Sequence, residues 1–232
     1  MNRSTSIVLI LALLILAILI VYFCFIRHKN TDPLNERLSY AKETDDYNYP
    51  YVLENLIDKK LCQKIIDNSM DKLVESEVIS GKHKNVRNSL QHWIKKDDPI
   101  VKNLFDKISS MFNISVDNAE DLQVVRYLPN QFFKEHHDAC CDDNEKCTQF
   151  IKKGGQRMLT VLIYLNNEFD DGQTYFPKLD LKIKPQTGSA IVFYPLAANS
   201  SKCHPYSLHA GLPVSSGEKW IANMWFREDR YV

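Results

Sequence analysis

The chain has 232 residues, of which 44% are hydrophobic and 25% are charged, and these fractions exclude an intrinsically disordered protein. Its 29 basic and 29 acidic residues give a formal net charge of zero, so no long-range field attracts nucleic acid or an anionic membrane surface. We therefore expect partners to be recognised by local contacts, and no nucleic acid among them.

The first predicted element is a transmembrane helix over residues 7–26, which follows a short N-terminal tail at residues 1–6. The run SIVLILALLILAILIVYFCFI carries no charge and is long enough to cross a hydrocarbon core of about 30 Å. A cleaved signal peptide would have an apolar region of about 7–15 residues that ends in small residues. We therefore expect a single-pass membrane protein. Arg3 precedes the run and Arg27 and Lys29 follow it, so the flanking charges leave the topology open.

Residues 27–50 are polar and contain few apolar anchors, which predicts a juxtamembrane linker followed by a folded domain over residues 51–232. A second helix of the chain, the first of the domain, is predicted after Asp58, which is a suitable N-cap. Its apolar residues recur at helical spacing: Leu61, Ile65, Ile66, Met70 and Leu73. Another helix is predicted from about Asp98 to Phe112.

The rest of the domain consists mainly of short segments rich in β-branched and aromatic residues, which Gly, Pro, Asn and Asp separate. These segments are DLQVVRYL, RMLTVLIYLN, LKIKP, SAIVFYPL and KWIANMWFRE. Strands that follow a helical section predict an α+β domain built on an antiparallel sandwich or barrel.

The segment KEHHDACCDDNEKC concentrates residue types that bind transition metals. If Phe132 to Asp138 form the end of a strand, His136 and Asp138 point to one side and His137 to the other, because strand side chains alternate. A third ligand must come from elsewhere, and His209 is the best candidate, in SLHAGLPVSSGEKW. Two histidines and one carboxylate form the facial triad of non-haem Fe(II) oxygenases, which leaves open positions for a cosubstrate and oxygen.

The glycines and the proline after His209 predict a turn between two antiparallel strands, which would bring Lys219 close to His209. Alternation within KWIANMWF places one set of residues on a common face: Lys219, Ile221, Asn223 and Trp225. A lysine inside a sheet costs free energy unless a negative charge meets it, so an interior Lys219 implies a buried anionic ligand near the metal. A Lys219 that points to solvent is an equally open alternative.

Of the six cysteines, Cys24 lies in the predicted membrane helix, which leaves five elsewhere. An odd number means that at least one stays free or pairs between chains. The spacing of Cys140, Cys141 and Cys147 suits a loop disulfide in an oxidising compartment or part of a zinc site in a reducing one, although it matches no recognised zinc pattern. A structural zinc module is therefore an alternative to the iron site, with these ligands: Cys140, Cys141, Cys147 and His137.

Several segments resemble the prolyl 4-hydroxylase family of Fe(II)/2-oxoglutarate-dependent dioxygenases. DLQVVRYLPNQFFKEHHD is similar to the family's iron-binding segment, and GGQRMLTVLIYLNNEFDDGQTYFP is similar to its following pair of strands. SLHAGLPVSSGEKWIANMWF is similar to the distal-histidine segment, and VRNSLQHW, from Val86 to Trp93, to the substrate-side segment. The similar segments follow the family's order between Tyr51 and Glu228.

This resemblance implies a double-stranded β-helix (jelly-roll) core with flanking N-terminal helices, and Fe(II) bound by His136, Asp138 and His209. It also implies that Lys219 pairs with the distal carboxylate of 2-oxoglutarate, with these residues nearby: Tyr127, Thr174 and Trp225. Arg157 matches a family arginine at the peptide side of the site, although an exposed arginine at a strand end is the alternative.

The family hydroxylates peptidyl proline at C4 with O2 and couples this step to oxidative decarboxylation of 2-oxoglutarate to succinate and CO2. L-ascorbate rescues iron that is oxidised in uncoupled turnovers. The resemblance thus implies a hydroxylase of a collagen-like or other proline-rich protein with its catalytic domain in the endoplasmic reticulum lumen, and the predicted transmembrane helix would anchor it in the membrane. Two alternatives stay open: a 2-oxoglutarate dioxygenase acting on another residue or substrate, and an inactive membrane-tethered peptide-binding protein of the same fold.

Three positions depart from the family's pattern. Phe133 replaces the tyrosine three residues before the first ligand, Asn130 replaces a glycine, and Asp171-Gly172-Gln173 replaces Gly-Gly-Glu. Without the tyrosine hydroxyl the pocket has one hydrogen-bonding group fewer. This loss affects the choice of substrate and the affinity for the cosubstrate.

Overall fold

The computed structural model describes residues 37–78, 81 and 83–232, together with Leu16. The predicted tail, the rest of the predicted transmembrane helix at residues 7–26 and the first part of the predicted linker lie outside the described residues. Within the part of the chain that is described, no helix is both long enough and apolar enough to cross a membrane. Residues from Arg37 to Val232 form one compact unit.

The described residues form three α-helices: α1 (Lys59–Met70), α2 (Lys102–Phe112) and α3 (Glu145–Ile151). The predicted cap of α1 is confirmed, because Asp58 Oδ1 accepts a hydrogen bond from the backbone N–H of Leu61 at 2.7 Å. α2 begins later than predicted, because Asp98 belongs to a preceding turn. In that turn Asp98 Oδ1 accepts a hydrogen bond from the N–H of Ile100 at 2.9 Å.

Thirteen strands are found in the described residues. In chain order they are β1 (Tyr51–Leu53), β2 (Val74–Glu75), β3 (Leu90–Ile94), β4 (Leu122–Tyr127), β5 (Phe133–His136), β6 (Arg157–Tyr164), β7 (Phe169–Asp171), β8 (Thr174–Phe176), β9 (Leu181–Ile183), β10 (Ala190–Phe193), β11 (His209–Gly211), β12 (Val214–Gly217) and β13 (Lys219–Arg227). They form a seven-stranded major sheet in the order β1-β10-β6-β13-β4-β3-β2, a four-stranded sheet in the order β5-β11-β8-β9, and the pair β12-β7. All of the pairings between strands are antiparallel.

The two faces of the major sheet pack against different layers. Helices α1 and α2 cover one face, where they share a buried core with strand residues, including Ile65, Phe105, Ile108, Val124 and Met224. The smaller sheets cover the other face through a second apolar cluster, including Val125, Leu162, Phe176, Phe193 and Val214. The predicted antiparallel jelly-roll with N-terminal helices beside it is therefore confirmed.

Strand β13 contributes to both layers, and its predicted alternation is confirmed. One set of side chains belongs to the helix-side core: Trp220, Ala222, Met224 and Phe226. The other set lines a cavity between the sheets: Lys219, Ile221, Asn223 and Trp225. A single strand thus carries core residues and candidate site residues on opposite faces.

The predicted turn that would join the strands of His209 and Lys219 as a hairpin is wrong. Strand β11 pairs with β5 and β8, whereas β13 pairs with β4 and β6. Strand β12 lies between them in sequence and pairs with β7, so the chain crosses from one layer to the other. Because these layers face each other, His209 and Lys219 nevertheless line the same cavity.

Residues 37–47, which we call the strap, pack on the domain, although their polar composition predicted a linker. Ala41 is buried, and its N–H donates a hydrogen bond to the carbonyl of Cys203 at 2.8 Å. The ring of Tyr47 stacks on His204 with centroids 4.4 Å apart. The compact unit therefore begins before residue 51, since backbone hydrogen bonds and a stacked ring hold a polar segment in place.

Candidate active site

Two paired strands and the loop that follows one of them bring three side chains together between the sheets. His136 ends β5, Asp138 follows two residues later, and His209 begins β11 directly opposite His136. Asp138 Oδ1 lies 3.7 Å from His136 Nε2 and 3.9 Å from His209 Nε2. Ligand atoms of all three lie within 4.8 Å of one another, a separation that one ion about 2 Å from each atom can bridge with small adjustments.

Both histidines present Nε2 to the candidate metal position. His136 Nδ1 lies 2.8 Å from the carbonyl of Lys134, and His209 Nδ1 lies 2.9 Å from the carbonyl of Ser207. A carbonyl only accepts hydrogen bonds, so each Nδ1 is the protonated donor and Nε2 is the nitrogen through which each ring would bind a metal. Burial holds the pKa of His136 well below its ordinary value, which favours the neutral imidazole that a metal requires.

The carboxylate of Asp138 has one oxygen for positioning and one for ligation. Its Oδ2 accepts hydrogen bonds from Thr160 Oγ1 at 2.8 Å and from Trp225 Nε1 at 3.0 Å, which leaves Oδ1 for a metal. Burial alone would raise the pKa of Asp138. The two imidazoles, a nearby guanidinium and the indole hydrogen bond outweigh burial and lower that pKa to about 2. The ligand is therefore ionised at neutral pH.

This donor set fits Fe(II). Two imidazoles and one carboxylate on one side of a cavity are the facial triad, whereas a structural zinc site fills four positions, usually with Cys and His. Among the residues that the structure describes, the metal-binding group contains these three side chains and no fourth His, Cys, Asp or Glu. The structure thus brings together the three ligands that the sequence predicted.

The cysteine-rich loop beside the triad is closed by disulfides. These bonds join two pairs: Cys140 with Cys147, and Cys141 with Cys203. Disulfide sulfurs offer no thiolate to a metal, so the zinc module is wrong. Cys62 is a buried free thiol, which accounts for the odd number. His137 is not part of the metal-binding group, and its Nδ1 lies 3.0 Å from Ser207 Oγ.

Lys219 lies inside the cavity, so the solvent-facing alternative is wrong. Its residue surface is 2% exposed, and its Nζ donates a hydrogen bond to the carbonyl of Gly172 at 2.7 Å. Burial, with a smaller contribution from Lys184, lowers the pKa of Lys219 to about 7. No carboxylate of the described chain pairs with it. A cation in this position is stabilised by an anionic ligand.

The other residues predicted for the cosubstrate line the same cavity. Thr174 Oγ1 lies 2.9 Å from the hydroxyl of Tyr164. The ring centroid of Tyr127 lies 5.3 Å from Lys219 Nζ, and burial raises the pKa of Tyr127, so its hydroxyl stays protonated. Trp225 reaches the cavity from β13. A buried ammonium beside hydroxyl groups suits one end of a dicarboxylate such as 2-oxoglutarate.

Arg157 lies between the triad and an open groove. Its guanidinium donates hydrogen bonds to both carboxylate oxygens of Glu120, at 2.6 and 2.8 Å, and its Cζ lies 3.6 Å from the ring centroid of Trp225. The alternative of an exposed arginine at a strand end is wrong, because only 12% of the side chain is exposed. A contact between Arg157 and a peptide stays a prediction.

Sequence reasoning missed four side chains of the site: Arg87, Glu120, Thr160 and Tyr164. Arg87 is buried and lines both the cavity and the groove. The similarity of Val86 to Trp93 to a substrate-side segment was the signal that could have identified it. Alternation along β6 was the corresponding signal for Thr160 and Tyr164, because they share a face with Leu162 of the cavity wall.

Phe133, at the position of a family tyrosine, stacks on the metal ligand His136. Their ring centroids lie 3.5 Å apart with planes inclined by 16°, and Arg87 Cζ lies 4.7 Å from the centre of the Phe133 ring. Phe133 therefore keeps the aromatic packing without the hydroxyl. Asn130 has φ of 66°, a left-handed conformation that asparagine tolerates, so it can replace a glycine at this turn.

The open groove beside the triad has a volume of about 810 Å³. Loops, α3 and the strap contribute to its walls. Its Phe, Trp and Tyr residues lie at six positions: Tyr40, Trp93, Phe133, Phe150, Trp225 and Tyr231. Grooves lined by aromatic rings are suited to extended peptides in the polyproline II conformation.

Comparisons with known proteins agree with this geometry. The family model of the 2OG-Fe(II) oxygenase superfamily matches residues 122–227, which include the triad and Lys219. A protein of Acanthamoeba polyphaga mimivirus named "Putative prolyl 4-hydroxylase" is 59% identical over 215 residues, which are 90% of this chain and 89% of the relative. Prolyl 4-hydroxylase 1 of Arabidopsis thaliana is 31% identical over 76% of this chain and 68% of its own length.

Among solved structures, the chain is similar to the viral collagen prolyl hydroxylase of Paramecium Bursaria Chlorella virus-1 in its 2OG complex. The two share 32% sequence identity with a TM-score of 0.62. The similarity covers 77% of this chain and 95% of the viral protein.

Proposed function

Since this chain belongs to the prolyl 4-hydroxylase family of 2OG-Fe(II) oxygenases, we propose that it hydroxylates a peptidyl proline at C4. The hydroxylation is coupled to oxidative decarboxylation of 2-oxoglutarate to succinate and CO2. One oxygen atom of O2 enters the proline and the other enters succinate, which balances the reaction. The chain is accordingly an oxidoreductase that depends on Fe(II) and 2-oxoglutarate.

The observation that carries this proposal is the meeting of a His-Asp-His triad and a buried lysine in one cavity. The triad would hold Fe(II) and leave positions for a cosubstrate and O2. Lys219 would pair with the distal carboxylate of 2-oxoglutarate. A protein that only binds peptides needs neither feature, and burial of these ionisable groups costs free energy.

The chain's own residues would bind and orient the substrates and exclude water from the site. Fe(II), when bound, would supply the activation of O2. Thr160 and Trp225 fix the carboxylate of Asp138 through their hydrogen bonds. Tyr127 and Thr174 line the cavity with the buried lysine and would flank the cosubstrate beside its ammonium. The buried walls of the cavity keep water from the reacting groups, which limits side reactions.

A collagen-like or other proline-rich protein is the substrate that the groove suits best. Its aromatic lining matches the pyrrolidine rings of a polyproline II segment. The similar Chlorella virus protein is named as a collagen prolyl hydroxylase, which supports the collagen-like option. In this arrangement Arg157 would contact the peptide. L-ascorbate would restore iron that is oxidised in turnovers without peptide.

We also propose that the domain is anchored in the endoplasmic reticulum membrane and faces the lumen. The charge-free run over residues 7–26 supports an anchor, and the two disulfides beside the site support an oxidising compartment. Protease treatment of microsomes that contain the full chain tests this proposal. A lumenal domain stays intact until detergent opens the vesicles, whereas digestion without detergent would contradict it.

Mass spectrometry of a proline-rich repeat peptide tests the activity. The full chain, purified in detergent, receives Fe(II), 2-oxoglutarate, O2, ascorbate and the peptide. We expect a product heavier by about 16 Da, the mass of one oxygen atom, together with an equal amount of succinate. The oxygen should be found as 4-hydroxyproline, and His209→Ala should give neither product.

Two other outcomes would point to the alternative functions. Succinate without hydroxyproline would favour a 2-oxoglutarate dioxygenase that acts on another residue or substrate. Neither product from a chain that has bound iron would favour an inactive peptide-binding protein.

A further inference from the structure

The strap reaches the groove through Tyr40. The residue is 49% exposed and lines the groove, so part of its ring is available to a ligand. Its ring meets that of His137, another groove residue, edge-on, with centroids 5.5 Å apart and planes inclined by 66°. Burial, with a smaller contribution from the neighbouring carboxylate of Asp142, raises the pKa of the Tyr40 hydroxyl, so this group stays protonated. The ring is thus held at the groove wall by the contact at its edge.

The backbone on both sides of Tyr40 is fixed to one residue of the loop that leads into β11. The N–H of Ala41 donates to the carbonyl of Cys203 at 2.8 Å, and the N–H of Cys203 donates to the carbonyl of Ser39 at 2.9 Å. These two bonds make a parallel bridge between Tyr40 and Cys203. The position of the ring is therefore set by the domain and not by a free linker.

The residue that holds Tyr40 is also bonded to the loop of the metal ligand. Cys203 forms a disulfide with Cys141, which lies three residues after Asp138. At the start of the strap, Gln156 Nε2 donates a hydrogen bond to the carbonyl of Arg37 at 2.7 Å. Gln156 directly precedes a groove arginine, so both attachments of the strap lead to segments that carry site residues.

We propose that Tyr40 contacts the peptide substrate and helps to set the peptide affinity of the groove. This inference rests on the proposed peptide hydroxylation and adds a specificity residue from a segment that the sequence placed outside the domain. A half-exposed aromatic ring on a tethered backbone loses little conformational freedom when a ligand binds. Proline rings of a polyproline II chain pack on such faces.

Steady-state kinetics of the full chain with a proline-rich peptide test the proposal. Tyr40→Ala should raise the KM for the peptide about tenfold, the factor expected when an interface aromatic is lost. The value of kcat should change much less, and the KM for 2-oxoglutarate at saturating peptide should not rise with it. Tyr40→Phe keeps the ring and should retain most of the peptide affinity.

Tyr49→Ala is the matched control. Tyr49 follows the strap, is 62% exposed and does not line the groove, so its loss should leave the peptide KM unchanged. The double variant Cys141→Ser with Cys203→Ser keeps the Tyr40 ring but removes its covalent tie to the metal-ligand loop. This variant should also raise the peptide KM, by less than Tyr40→Ala.

An unchanged peptide KM in Tyr40→Ala, with an unchanged melting temperature, would overturn the inference and leave the proposed activity standing. An equal rise in Tyr49→Ala would also overturn it, because the effect would then reflect general loss of aromatic surface. Absence of hydroxyproline from the unsubstituted chain would instead reject the proposed function on which the inference rests.

Discussion

The metal cavity and the adjoining groove are built from different parts of the chain. Strands from facing sheets line most of the cavity, so each inward side chain is fixed by pleat and register. Loops, α3 and the strap line much of the groove, and disulfides and backbone hydrogen bonds hold them. The strands therefore place the charged groups of the cavity precisely, whereas the loops form the surface proposed to recognise the peptide.

Exposure differs between the two regions in the same way. Asp138 and Lys219 of the cavity are 5% and 2% exposed, whereas Tyr40 and Trp93 of the groove are 49% and 39% exposed. When the partner of a buried charge is removed, water cannot reach the charge and solvate it. A half-exposed ring, by contrast, loses only part of its contacts when it is replaced. Substitutions in the cavity should therefore have larger effects than substitutions in the groove.

The largest effect is expected from Asp138→Ala, which removes the acidic ligand of the triad. Metal binding and succinate formation should both fall below detection, because the facial triad needs its carboxylate. Equilibrium dialysis with Co(II) measures the binding without turnover. Asp143→Ala, in the exposed part of the neighbouring loop, is the control and should bind Co(II) normally. Normal binding by Asp138→Ala would place the metal elsewhere.

Lys219→Met should raise the KM for 2-oxoglutarate about 100-fold, which corresponds to ~3 kcal/mol for one lost partner of a buried charge pair. The same substitution should raise the melting temperature of the ligand-free chain, because it removes a buried ammonium. Lys182→Met, at an exposed position of β9, is the control for both measurements. An unchanged KM in Lys219→Met would remove Lys219 from the cosubstrate site.

Trp225→Phe should weaken Co(II) binding about tenfold, the low end of the range for residues that orient a metal ligand. The variant keeps an aromatic ring near Arg157 but loses the 3.0 Å hydrogen bond to Asp138 Oδ2. Trp93→Phe changes an indole in the groove and serves as the control. Equal affinities in the two variants would show that the indole hydrogen bond does not position the ligand.

The lowered pKa of Lys219 predicts a smaller, pH-dependent effect. With a pKa of about 7 in the ligand-free chain, Lys219 is ammonium below this value and amine above it. A dianion binds the ammonium form, so binding above neutral pH takes up a proton and weakens by up to about tenfold per pH unit. Calorimetry in buffers of different ionisation enthalpy counts this proton.

At about pH 8 the unsubstituted chain should take up nearly one proton when 2-oxoglutarate binds, and at about pH 6 almost none. Lys219→Met should show no comparable difference between the two conditions. Proton uptake that is the same in both proteins would assign the titration to another group.

The sequence predicted the cavity well because strand alternation carries information over a few residues. Alternation around His136 and Asp138 identified two ligands, although β5 ends at His136 and Asp138 lies in the loop that follows. Alternation along β13 placed Lys219 and Trp225 on one face. The crossing from β11 to β13 was not predictable in this way. Turn residues indicate that the chain changes direction, but they do not specify which strand becomes the partner.

The groove was predicted less well because its contacts lie far apart in sequence. Cys141 and Cys203 are separated by 62 residues, and no local pattern fixes such a pairing. The strap is polar and is held largely by backbone hydrogen bonds, which leave no hydrophobic period to detect. Arg87 was missed because a buried arginine without periodic neighbours looks like a surface residue in sequence.

The most direct test of the division between cavity and groove measures succinate and 4-hydroxyproline together in Lys219→Met and Tyr40→Ala while each substrate is varied. We predict that excess 2-oxoglutarate restores both products in Lys219→Met but not in Tyr40→Ala. Excess peptide should do the reverse. Rescue of both variants by the same substrate would contradict the assignment of the cavity to 2-oxoglutarate and the groove to the peptide.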